Sequence, residues 1–358
     1  IHRYHPRTEI FVTNQKLDNA GDRAIFDYLQ KKPRTWMRAF CYGPGSNAMG
    51  WMPGRRQDDR TDLFRYRGVG ALDRYCREIV HQLPPHQSLV FFTDLTHWVY
   101  SQYGLMDHEM LADRNGEVAP ADDYRIYEKQ PDPYLAMVYD RRTFHARPRN
   151  YYHVFRETMR YGIGDCTYSE GHHDHFNQWM WQRLLWAPNR GLDDVVDEYA
   201  RVHFGAAAAP LMSQAIYQME ENLSAPLLSN AGIDRQIETL RSAGQVLPQD
   251  VKSRDYLWRQ YLQKALLDKY VQLSVRQQQK VHDEIISVLA AALESDKLTA
   301  GIEQSKLLLD GLAETDEMQR LKAEADQLGS ESDRIYGVRN VGMARLDRDF
   351  VGLGWLKS

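Results

Sequence analysis

The chain has 358 residues, long enough to bury ordinary cores without help from disulfides or metals. Its 45 Lys+Arg against 49 Asp+Glu, a formal net charge of -4, exclude the basic excess on which nucleic-acid binding depends. With 43% hydrophobic and 26% charged residues, and no apolar run near the roughly 18 residues of a membrane span, bulk disorder and membrane insertion are excluded as well. The 21 Tyr and 8 Trp, many beside polar residues, suit a surface that stacks on sugars or other flat ligands.

Cys41, Cys76 and Cys166 are an odd, widely spaced set that encodes neither a disulfide framework nor a CxxC metal site, and all three are expected to be buried thiols. The opening IHRYHPRTEIFVTNQ has no initiator Met and is strand-like by Thr8, so the natural N-terminus and any targeting signal are expected upstream.

In chain order, the first half alternates strand and helix signals. Glu9 to Thr13 (EIFVT) is a β-rich run, and Asp22 to Gln30 is helical with Ile25, Phe26 and Leu29 on one face. Trp36 to Tyr42 is a second strand, followed after a Gly/Pro-rich loop by a helix over Ala71 to Leu83 that Pro84 and Pro85 terminate. Ser88 to Thr93 (SLVFFT) is the clearest buried strand. A long polar stretch to Gln130 follows, too long for a plain connection. Tyr134 to Tyr139 (YLAMVY) is predicted as a fourth strand with a helix over Tyr151 to Tyr161, and Asp165 to Ser169 as a fifth with a helix from about Asp174.

Alternation of this kind means a parallel sheet covered by helices, either doubly wound or part of a (β/α)₈ barrel. Four or five units fit in residues 1–190, whereas a closed barrel takes eight units and typically about 250 residues. If this is a barrel, it is the C-terminal part of one. From Leu192 the strand signals vanish, and residues 191–329 are predicted as a helical domain. Within it Leu257, Tyr261, Leu262, Ala265, Leu266, Tyr270 and Leu273 make one stripe of a long helix over Ser253 to Leu293. The tail, 330–358, is apolar enough to pack back on the body.

In βα folds the chemistry collects at the carboxyl ends of the strands. The polar residues there are Asn14 and Gln15; Tyr42; Asp94 with His97 and Trp98; Asp140 with Arg141; and Tyr168, Glu170, His172 and His173. Three predicted strands end in a carboxylate: Asp94, Asp140 and Glu170. Glycoside hydrolysis uses two carboxyl groups flanking the scissile bond, one giving a proton and the other activating water or attacking carbon. Plainer roles stand beside this one: Asp140 as an ion-pair partner of Arg141 and Arg142, Asp94 as a turn cap, and Asp174 as the N-cap of the next helix. The run GHHDHFN has no HExxH-type spacing, so no metal is expected. GPGSNAMG and RGVGALDRY match neither phosphate-loop pattern, so no nucleotide cofactor is expected either.

The segment YSEGHHDHFNQWMWQRLLWAPNRGLDDVVDEYARVHFG resembles the end of the catalytic barrel in the alpha-glucuronidase-like and DUF4838-type glycoside hydrolase group. The resemblance is carried by Tyr168, Ser169, Glu170, Gly171, Asp174, Asn177, Trp186, Pro188, Glu198, Tyr199, Ala200, Arg201, Phe204 and Gly205, over about forty residues. It implies a (β/α)₈ barrel with an appended helical domain that cleaves a carbohydrate substrate outside the cytoplasm, without a cofactor. Catalysis would fall to Glu170, Asp94 and Asp140. Asn14, Gln15, Tyr42, His97, Trp98, Arg141, Tyr168, His172 and His173 would contact the sugar. In such barrels the general acid often stands on a middle strand, which here would precede Ile1, so the missing N-terminal portion or a complementary chain is the expected partner. A noncatalytic carbohydrate-binding or scaffold protein, and more weakly a metal-dependent hydrolase using the His run, are the alternatives.

Overall fold

The computed structural model describes residues 3–8, 10–13, 24, 27–34, 36–41, 76–77, 80–81, 83–93, 95–96, 132–139, 143–169 and 172–337, and in the tail 344, 346 and 348–354. The chain divides into two compact units: Ile1–Gln130 with His145–Tyr199, and Pro131–Phe144 with Ala200–Ser358.

The first unit carries a parallel sheet of β1 (Ile10–Thr13), β2 (Met37–Cys41), β3 (Ser88–Phe91) and β4 (Gly162–Asp165), hydrogen-bonded in that order. Phe40 stands opposite Val12 and Leu89, and β4 is set by Leu89 opposite Gly162 and Phe91 opposite Asp165. Gly162 is needed for this approach, since a Cβ there would lie 2.7 Å from the Phe91 ring. The class is α/β, as the alternation predicts; among the described residues the sheet has four strands and does not close into a barrel. Two helices follow the pattern around β4: α2 (Pro148–Thr158) before it and α3 (His175–Trp186) after it. They pack through Trp181, fully buried, with its ring edge-on to Phe155 at 5.2 Å and to Tyr151 at 6.4 Å. Much of the aromatic excess in this segment is therefore core. Cys76 is buried as expected, but Cys166, just past β4, is exposed.

Tyr134 to Tyr139 is not a strand. Pro133–Tyr139 is a helix, α1, and it belongs to the second unit. The Asp132 carboxylate accepts from the backbone N–H of Tyr134 (2.9 Å) and Leu135 (3.3 Å), and Pro133 occupies the first turn, where its missing N–H costs nothing. Leu135, Val138 and Tyr139 are buried at helical spacing while Met137 is exposed. The apolar run of six fits either period, and the Asp-Pro pair before it decides the outcome.

The rest of the second unit is helical: α4 (Leu192–Phe204, which starts in the first unit), α5 (Ala209–Ser224), α6 (Gly232–Val246), α7 (Gln249–Arg254), α8 (Leu257–Glu294), α9 (Leu298–Asp310) and α10 (Asp316–Tyr336). α8, 38 residues long, packs against α6, α9 and α10. The predicted stripe from Leu257 to Leu273 is buried except at Leu273, which is half-buried, and the same helix also buries charge. Lys264 Nζ lies 2.7 Å from both oxygens of Asp268 and 4.3 Å from the centre of the Tyr139 ring, and the Tyr139 hydroxyl donates to Asp268 at 2.9 Å. Burial lowers the Lys264 pKa against the pull of Asp268 and raises that of Tyr139. The tail packs back as predicted: Gln278 donates to the Arg348 carbonyl (2.9 Å) and accepts from the Phe350 N–H (2.7 Å), and Phe350 and Leu353 are buried.

Candidate functional site

The carboxyl ends of β3 and β4 continue side by side beyond the strands proper. Cys166 N donates to Phe91 O (2.8 Å), Tyr168 N to Thr93 O (2.7 Å), and Leu95 N to Tyr168 O (3.2 Å). The predicted strand Asp165 to Ser169 is thus the paired extension of β4, whose regular part lies earlier because Gly162 must sit over Phe91.

Three polar side chains fasten this rim. Asp165, the last residue of β4, accepts from the Thr93 backbone N–H at 3.2 Å and from the Thr93 hydroxyl. The residue is partly exposed, yet its carboxyl group lies deep, and burial pushes its pKa up to about 7 against the lowering effect of the Thr93 bonds.

Asp174, fully buried, accepts from the Ser169 hydroxyl (2.8 Å) and the Thr96 hydroxyl (2.5 Å), joining the segments that follow both strands. It stands at the N-cap position of α3, but its carboxylate makes no cap bond there; the two hydroxyls take it instead.

Asn177, one turn into α3 and also fully buried, accepts from Arg147 N (2.9 Å) and donates to His145 O (3.3 Å) and Leu95 O (3.5 Å). Its amide thus supplies both an acceptor and a donor to backbone groups of two neighbouring segments. His145 N in turn donates to His173 O (2.9 Å), so residues 145–147 and the start of α3 are bound together.

Behind the rim, Glu198 pairs with Arg183 (2.6 Å) and Arg190, while Tyr199 packs edge-on against Phe176 and its hydroxyl meets His175 Nδ1 at 3.0 Å. Burial lowers the His175 pKa and favours the neutral ring. Trp186, by contrast, is 85% exposed.

Of the predicted site residues, Asn14, Gln15, Tyr42, Asp94, His97, Trp98, Asp140, Arg141 and Glu170 lie outside the described residues. His172 begins a short 3₁₀ turn with His173 and Asp174, and its side chain is likewise outside them. Tyr168 is half-buried with its ring 6.1 Å from that of Phe92, and His173 is half-buried. Asp140 does not follow a strand in the chain, because the residues before it form α1. Thr93 and Thr96 lie just after SLVFF, where strand-end logic would find them, but a hydroxyl so placed gives no sign of its partner seventy residues away. Among the described residues, no group of three or more His, Cys, Asp or Glu side chains is arranged to hold a metal ion.

What these contacts define is an α/β unit in which consecutive parallel strands end on a rim tied down by Asp174 and Asn177, followed in the chain by a helical unit. Residues 136–217, which contain that rim's helix α3, match the model of a family described as a domain of unknown function, DUF4838. The DUF4838 resemblance therefore holds over this segment. No curated protein matches the chain, and no solved structure does.

Proposed function

We propose that this protein is a glycoside hydrolase of (β/α)₈-barrel type, acting on a polysaccharide or glycan through carboxyl groups at the carboxyl ends of its strands. The observation that carries this reading is the paired run of residues beyond β3 and β4, fixed by Thr93, Ser169, Asp174 and Asn177. In the chain, Asp94 falls between two residues of that run, Thr93 and Leu95, and Glu170 directly follows Ser169. Two carboxylates borne by adjacent parallel strand ends are the equipment that acid/base cleavage of a glycosidic bond uses.

The strand order supports the barrel component. A sheet with parallel strands in the unbroken order β1-β2-β3-β4 winds in one direction, as in a barrel, whereas a doubly wound sheet reverses its order at a switch point. The DUF4838 match over 136–217 agrees with the family resemblance carried by Glu170, Asp174, Asn177 and Glu198. Asp140 is left out of the catalytic set.

A second reading, a carbohydrate-binding protein without turnover, has one observation in its favour: both described carboxyl groups of the rim, Asp165 and Asp174, are engaged by Thr and Ser hydroxyls of the protein itself. The two readings part on a glycan and aryl-glycoside screen that scores binding and product release separately. Release of reducing sugar or aglycone supports hydrolysis; saturable binding with no release supports the second reading.

A further inference from the structure

Thr93 and Thr96 stand on either side of Asp94 in the chain, and each is held by a carboxyl group from another element. Thr93 gives its N–H (3.2 Å) and its hydroxyl to Asp165, at the end of β4. Thr96 gives its hydroxyl to Asp174 (2.5 Å), at the start of α3. Thr93, Thr96 and Asp174 are all fully buried. Leu95, buried between the two threonines, donates its N–H to Tyr168 O (3.2 Å) and accepts from the Asn177 amide (3.5 Å).

Pairing of the strand ends does not require the two carboxyl groups. The backbone bonds from Tyr168 N to Thr93 O and from Leu95 N to Tyr168 O already make it. Taking a carboxyl group out of water is costly, and burial holds that of Asp165 up at about 7 even with both Thr93 bonds in place. A valine at either threonine position would fill the same volume with no carboxyl group to satisfy. Buried polar pairs of this kind, set directly beside a reacting group, are how folds fix such a group in place.

We propose that Asp165 and Asp174 are positioning residues, which act through Thr93 and Thr96 to fix the chain at Asp94, and that the placement of Asp94 limits turnover. The proposal rests on the reading of the rim as a glycosidase site and deepens it. It gives the two hydroxyl-bound carboxyl groups a part in turnover without either touching the sugar. A reacting carboxylate has to sit about 3–3.5 Å from its target, and a displacement near 1 Å costs about 10²-fold, so a loosened segment shows in kcat and not in substrate binding.

The test uses Thr93→Val and Thr96→Val, which keep the side-chain shape and remove only the hydroxyls. The substrate is the 4-nitrophenyl glycoside that the parent cleaves fastest, at a temperature where circular dichroism shows each variant folded. Each variant should lower kcat by about tenfold or more with KM unchanged. The double variant should lose more than the product of the single losses, because each clamp holds the segment when the other is gone. Thr93→Ser and Thr96→Ser restore the hydroxyls and should recover most of kcat, which keeps the test decisive if a valine variant folds poorly. Parent-like kcat in folded valine variants, a loss confined to KM, or serine variants no faster than valine ones would each overturn the proposal while leaving hydrolysis standing. A parent that binds glycan but releases no product would overturn the reading of the site, and the positioning role with it.

Discussion

Thr93 and Asp165 meet across the carboxyl ends of adjacent parallel strands, with both the backbone N–H and the hydroxyl of Thr93 donating to the Asp165 carboxyl group. The contact couples the end of β3 to the end of β4 at the rim and gives the rim a titrating group. Folding raises the Asp165 pKa from its ordinary 3.8 to about 7, so the folded state holds a proton that the unfolded chain releases. The contribution of Asp165 to stability is thus fully present below about pH 4 and is lost as pH rises through 7. Asp165→Asn keeps an acceptor for the Thr93 N–H and cannot ionise. Denaturant titrations from pH 4 to pH 8 should show the variant gaining on the parent as pH rises, by on the order of 4 kcal/mol at pH 8. A gap that is independent of pH would place the Asp165 pKa near its ordinary value.

Asn177→Ala removes the acceptor for Arg147 N–H and the donor to the His145 and Leu95 carbonyls, all within a buried setting. Leaving these groups unpaired should cost about 2–4 kcal/mol of the stability of the first unit, read from the denaturant midpoint with tryptophan fluorescence. A loss under roughly 0.5 kcal/mol, the scale of an ordinary surface change, would mean that Asn177 does not hold the rim.

Lys264→Met strands the Asp268 carboxylate inside the helical unit with only the Tyr139 hydroxyl to satisfy it. The expected loss is about 3–5 kcal/mol, while Lys264→Met combined with Asp268→Leu should recover much of it, because a buried pair replaced on both sides leaves no lone charge. A double-mutant cycle by chemical denaturation reads the difference. Additive losses would show the pair to be uncoupled.

Phe350→Ala tests the seating of the tail. Phe350 is buried, its ring lies edge-on to Tyr134 at 6.3 Å, and its N–H donates to Gln278. Truncation should cost about 3–5 kcal/mol. Limited proteolysis should cut the tail sooner in the variant, and equal cutting rates would mean that the ring does not anchor it.

The helical unit is the most legible part of the sequence because its signal is long: α4 begins at Leu192, where the strand signals vanish, and α8 buries most of the stripe that starts at Leu257. Long amphipathic periods repeat their evidence with every turn. α10 runs seven residues past the predicted end of the helical domain at 329, to Tyr336, where Gly337 adopts the left-handed conformation that closes it. Short elements carry less. YLAMVY satisfies both periods, and only the Asp132-Pro133 start signal, outside the run itself, settles it as α1.

The rim shows a different limit. Asp174 and Asn177 were visible as parts of a motif, yet their roles depend on Thr96, Leu95, His145 and Ser169, brought to them by strand pairing. No local pattern records that Asp174 would serve two hydroxyls and leave the helix N-terminus uncapped. Asp165 is illegible for the same reason: inside GIGDCTYS it has the pattern of a strand residue, and its raised pKa comes from burial created by the sheet and α3.

The central claim, hydrolysis of a glycosidic bond by a carboxyl group at this rim, is tested most directly by comparing turnover of the parent and Glu170→Gln on the glycans and aryl glycosides that the parent cleaves. Gln keeps the shape of the side chain but cannot titrate, so turnover should fall by about 10²–10⁴, the range that general acid–base groups supply, while sugar binding is preserved. Equal turnover in parent and variant, or binding without product release by the parent, would contradict the account.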